Sequence, residues 1–61
     1  MIIIEKSNGN GEIEVFSYKM AGYGDDIKII QDDTDELNLS KRQAMELIDV
    51  LRKFINGEEI E

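Results

Sequence analysis

The chain has 61 residues, enough for one small domain, and it contains no Cys, His, Pro or Trp. Its 14 acidic residues outnumber its 7 basic ones, for a formal charge of −7 at neutral pH. This excludes a disulfide scaffold, thiolate metal sites, a thiol nucleophile and histidine base catalysis. A charge of this sign also repels phosphate backbones.

At 41% hydrophobic the chain is too apolar for a disordered acidic tail. A domain this short buries only about 60% of the surface its unfolded chain exposes, so close packing or oligomerisation has to support it. The longest apolar run, Met1 to Ile4, is far short of a membrane span. No basic segment leads into a longer apolar stretch, as a secretory signal requires. The expectation is a soluble, intracellular protein of the cytoplasm, with no membrane association.

In chain order, a first strand is expected over residues 2–6, which begin with three β-branched isoleucines and end at Ser7-Asn8-Gly9-Asn10-Gly11, where two Asn-Gly pairs supply the positive φ of a tight hairpin. A second strand is expected over 12–19, followed by the glycine-bearing reversal Met20 to Asp25. The third strand covers 26–31. Asp32-Asp33-Thr34-Asp35 then turns the chain into a short fourth strand over 36–39. Connections of three to six residues suit hairpins, so the pairing should be antiparallel. Ser40 and Gln43 have the spacing of a capping box, and Ala44, Leu47, Ile48, Leu51, Phe54 and Ile55 recur at helical spacing. Arg52 and Lys53 suit the negative end of the helix dipole, and Gly57 after Asn56 suits a left-handed cap. The fold class is therefore α+β, a single domain over 1–61. It is a four-stranded antiparallel meander followed by one helix over 41–56 packed on one face.

The strand period of two sorts the side chains. Leu37 and Leu39 are expected to face the helix, together with Ile2, Ile4, Ile13, Val15, Ile27 and Ile29, as one core. The opposite face then collects Ile3, Phe16, Tyr18 and Ile30 beside Glu14, Lys28 and Asn38. Such a patch marks an association surface, either a homodimer interface or one for a different protein, which Met45 and Val50 could extend. The alternative is a bulge near Phe16 that turns the aromatics into the core.

No residue set supports catalysis. Ser7, Ser17 and Ser40 have no His to activate them, and one sheet with one helix scarcely encloses a substrate pocket. No catalytic residue, metal ligand or cofactor is expected. A calcium loop starting at Asp32 would place Leu37 at its glycine position and Gln43 at its terminal glutamate, so the motif fails. The glycines around Tyr23 form a turn without the lysine and helix of a phosphate loop; Tyr23 itself either meets a partner or packs across that loop. Lys41 and Arg42, at the helix N-terminus, either pair with the acidic 32–36 segment or form a small anion site.

In size, acidity and lack of catalytic groups, the chain resembles small phage-encoded inhibitors of the anti-CRISPR kind. That resemblance implies a non-enzymatic inhibitor that mimics nucleic-acid charge and blocks a nucleic-acid enzyme. Its partner would be a protein with a basic surface. The carboxylates grouped at two turns, Asp25 and Asp26, then Asp32, Asp33, Asp35 and Glu36, are the candidate contacts. Separately, the element order with Leu37-Asn38-Leu39-Ser40 leading into Ala44, Leu47 and Leu51 is similar to the small dimeric transcriptional coactivators that bind single strands. That likeness implies base stacking on Phe16, Tyr18 and Tyr23, with Lys6, Lys19 and Lys28 as cations. The basic character of those proteins is missing here, so nucleic acid is not the expected partner. A purely structural accessory subunit is the remaining alternative.

Overall fold

Isoleucine-rich segments punctuated by Gly, Asn and Asp fold here as strands and reversals. The computed structural model describes residues 1–20, 22 and 24–61, with Met20 described in its backbone alone. Four strands form one antiparallel sheet in the order β1-β2-β3-β4: β1 (Ile2–Ile4), β2 (Ile13–Met20), β3 (Gly24–Gln31) and β4 (Asp35–Leu39). One helix, α1 (Lys41–Ile55), follows. The architecture is thus α+β, four strands and then a helix.

The reversals follow from backbone chemistry. Asn8 (φ 50°) and Gly9 (φ 78°) are both left-handed, and Ser7 and Asn10 exchange two backbone hydrogen bonds of 3.1 and 2.8 Å around them. That is the primed geometry whose twist matches paired strands. This miniature hairpin ends β1 at Ile4, so residues 5 and 6 lie outside the sheet. Between β3 and β4 the left-handed pair is Asp32 (φ 53°) and Asp33 (φ 60°), closed by Thr34 N–H donating to Gln31 C=O at 3.2 Å. Aspartate tolerates this region better than most residues but still pays steric strain at Cβ. Between β2 and β3, Gly22 takes φ 81°; Tyr23 lies outside the described residues, so its two readings stay undecided.

The helix has a complete signal at each end. Ser40 Oγ accepts from Gln43 N–H at 3.2 Å, and Gln43 Oε1 accepts from Ser40 N–H at 3.1 Å. At the other end Gly57 (φ 87°) donates to Phe54 C=O, and Glu58 N–H to Lys53 C=O. This pair of bonds satisfies carbonyls that the helix leaves open.

Cross-strand register sorts the sheet into two faces. Ile2, Ile4, Ile13, Val15, Ile27, Ile29, Leu37 and Leu39 share one, face A. Ile3, Glu14, Phe16, Tyr18, Lys28, Ile30, Glu36 and Asn38 share the other, face B. Pairing runs without interruption from Ile13 to Met20, so no bulge turns Phe16 inward.

The expected core does not close. Among the described residues no side chain is fully buried. The backbone of α1 approaches β3 and β4 and neither β1 nor β2. Ile2 remains 67% exposed and Ile4 52%. Along α1, Ala44 and Leu47 are half-buried, whereas Phe54 is 67% and Ile55 77% exposed, so the helix departs from the sheet as it rises. The cause lies at the junction: Ser40 alone separates β4 from α1, and it is extended (φ −75°, ψ 168°). That leaves no loop to bring the helix back over the sheet. The radius of gyration is 13.1 Å, against about 10.5 Å for a compact chain of this length.

Two substitutions test these local assignments by urea unfolding. Ser40→Ala removes the cap and should cost about 1 kcal/mol. Asp33→Gly relieves the left-handed strain and should gain roughly 0.5–1 kcal/mol.

Candidate functional site

Face B carries the four residues expected at an association surface. Ile3 is exposed there, while Phe16, Tyr18 and Ile30 are half-buried by their neighbours. A polar network ties them down. Tyr18 Oη donates to Asn38 Oδ1 at 3.0 Å, and Lys28 Nζ stands 5.5 Å from the Tyr18 ring centroid. The same Lys28 reaches Glu36 at 3.8 Å. An ammonium over a ring and a partly exposed ion pair are each worth no more than about 1 kcal/mol. Their effect here is geometric, because the Lys28 stem covers aromatic surface while its charged end stays in water. A base stacking on that side of the Tyr18 ring would have to displace this lysine.

Face A has no such cover. Its eight aliphatic positions are joined by Ser17, opposite Ile27, and by polar residues at its ends, as Lys19 opposite Asp25 and Gln31 opposite Asp35. Where α1 leaves the sheet, Ser17, Ile27, Leu39 and Ala44 line an open groove of about 230 Å³, with Asp25, Asp26 and Lys41 among its other walls. Ser17 faces it without a base, and the Ser40 hydroxyl already accepts from Gln43. The groove suits an apolar side chain.

The acidic residues fall into two groups at opposite ends of β3. Asp25 and Asp26 stand at its start; Asp32, Asp33, Asp35 and Glu36 surround the following turn. At about 3.3 Å per residue, Asp26 and Asp32 are roughly 20 Å apart. All six are exposed except the half-buried Asp26. Asp32 is fixed by the β1–β2 connection, since its N–H donates to Glu12 C=O at 3.2 Å. Its carboxylate also occupies the space a Cβ on Gly11 would need.

Lys41 and Arg42 do not pair with the 32–36 segment. β4 carries the chain from that turn to the other end of the sheet, so Lys41 emerges beside Asp25 and Asp26 instead. Among the described residues the one ion pair is Lys28–Glu36. The sequence-based reading missed this crossing because it measured separation along the chain, whereas β4 moves the helix start by its full length.

Among the described residues, no three carboxylates converge as metal ligands, and no helix is long and apolar enough to cross a membrane. With the carboxylates split between two ends of a strand, an excess of calcium should leave Tm unchanged. A rise of several degrees would reveal a chelating site.

Comparison with known proteins finds no matching family model, no matching curated protein and no matching solved structure.

Proposed function

We propose that this chain is a small non-enzymatic protein-binding module that acts as a homodimer in the cytoplasm. Its carboxylates dock against a basic surface of another protein. In the sharpest version that surface is the nucleic-acid groove of a nuclease or polymerase, and the module inhibits by occupying it. The observation that carries this reading is the two groups of largely exposed, mostly unpaired carboxylates at the ends of β3. Five of the six face water, and only Glu36 has a basic partner within 4 Å among the described residues.

The physics of such docking is simple. Two carboxylate groups roughly 20 Å apart span about six base-pair steps of a duplex, measured as rise of about 3.4 Å each along its axis. A basic groove built for phosphates would therefore meet charge at both of its ends. Long-range attraction raises the encounter rate, and each ion pair formed in the groove displaces a phosphate contact. The absence of cysteine agrees with a reducing compartment.

The test is affinity capture from lysate, with bound polypeptides identified by mass spectrometry and eluted nucleic acid read at 260 nm. Recovery of a basic nucleic-acid enzyme without nucleic acid is the expected result. Combining Asp32→Lys, Asp33→Lys and Asp35→Lys should reduce that recovery at least tenfold, and moderate salt should weaken it for the unaltered chain. Recovery of oligonucleotides in place of protein would overturn the reading and shift attention to the aromatics of face B.

A further inference from the structure

We infer that two copies of this chain close each other's core, with α1 of each lying over the uncovered β1–β2 half of the other's face A. This rests on the homodimer proposed above and assigns it a surface and a geometry. The sequence pattern pointed to face B; the exposure of the folded chain points to face A.

Area is the first argument. The accessible surface is 5483 Å² for a chain of 7.0 kDa. A compact monomer of that mass exposes roughly 4,000 Å². The excess, about 1,400 Å² per chain, exceeds the roughly 800 Å² per partner of a standard stable interface. Doubled, it falls in the range of obligate homodimers, which pack like a domain core cut in half.

Chemistry identifies the occupant. Two parts of the exposed apolar surface call for cover: the β1 side of face A, where Ile2 and Ile4 stand open beside half-buried Ile13 and Val15, and the part of the α1 stripe made of Ile48, Leu51, Phe54 and Ile55. The one charge on the β1–β2 half of face A is Lys19 at the far end of β2, itself basic, so a basic partner suited to the carboxylates has nothing to pair with here. An aliphatic sheet face calls for an amphipathic helix or a second sheet, and this chain carries an amphipathic helix whose C-terminal half has no sheet to rest on. The two parts do not meet within one chain, because the extended Ser40 junction sends α1 away from β1 and β2. A two-fold axis supplies both contacts at once, since the helix-to-sheet contact made by one copy is repeated by its partner.

Face B is finished by comparison. Lys28 stands over Tyr18 and pairs with Glu36, Asn38 holds the Tyr18 hydroxyl, Phe16 and Ile30 are half-buried, and Ile3 is its one exposed aliphatic among the described residues. In the dimer it stays outside, as do the acidic turns at the ends of β3. Each copy carries −7, so the pair repels itself and should associate several-fold more tightly as salt is raised. The acidic docking proposed above has the opposite salt dependence, which separates the two interactions in one titration.

The closing experiment uses the unaltered chain. Light scattering across a concentration series should give twice the chain mass. A mixture of isotope-labelled and unlabelled chains should then give intermolecular methyl contacts, by filtered NMR, between Leu51 or Ile55 and Ile2 or Ile4. Ile2→Asp should convert the dimer to monomer or unfolded chain, while Ile3→Asp on face B should leave it dimeric. A strict monomer at high concentration would overturn both the dimer and its geometry. A dimer whose intermolecular contacts involve Ile3 and Ile30, or helix against helix alone, would overturn this geometry and leave the homodimer standing. None of these outcomes decides the acidic docking, which depends on capture of its own partner.

Discussion

The junction between β4 and α1 shapes everything else in the molecule. Ser40 accepts from Gln43 through its side chain and donates to Gln43 through its backbone, so the helix begins one residue after the sheet ends. The capping box satisfies two donors and fixes where the helix begins. With the residue extended and no loop to spend, the helix leaves over the β3–β4 corner and carries its apolar stripe beyond the sheet. A longer connection would have let α1 return across β2 and β1. The same sequence of apolar residues would then have closed into one small core.

From that constraint follows the contrast between the two faces. Face A is aliphatic because its residues were placed at alternate positions for burial, yet within one chain only its β3–β4 half receives the helix. Face B mixes aromatics with long polar side chains whose stems shield them, which is how a solvent-facing sheet surface remains soluble. Exposure of a large residue is therefore informative only with its neighbours. Phe16 sits among groups that cover it. Phe54, on the free end of α1, does not.

Charge and apolar surface are segregated in the same way. The carboxylates gather at the reversals, where Asp stabilises turns and tolerates left-handed backbone, as Asp32 and Asp33 do. The aliphatic residues occupy the strands between them. One consequence is a sheet acidic at both ends of β3 and apolar across its middle. The proposed docking through the ends would be weakened by salt, and the proposed association through the middle would be strengthened by it. The two kinds of contact can coexist on one small domain because they use different surfaces.

The sequence by itself determined every local element. Asn8-Gly9 fixed the first turn, Ser40 with Gln43 the start of the helix, and Gly57 its end, each because a short-range hydrogen bond or a positive φ admits few residues. The period of two in Ile2–Ile4, Ile13–Val15, Ile27–Ile29 and Leu37–Leu39 likewise fixed which residues share a face, since adjacent strands pair in a single register. Only the tertiary structure decided how far the helix covers that face, which end of β3 meets Lys41, and therefore which apolar surface remains open. Those outcomes depend on the direction in which one junction residue launches a helix about 22 Å long. A periodic pattern names the side of a helix that will be buried, and leaves open what will bury it.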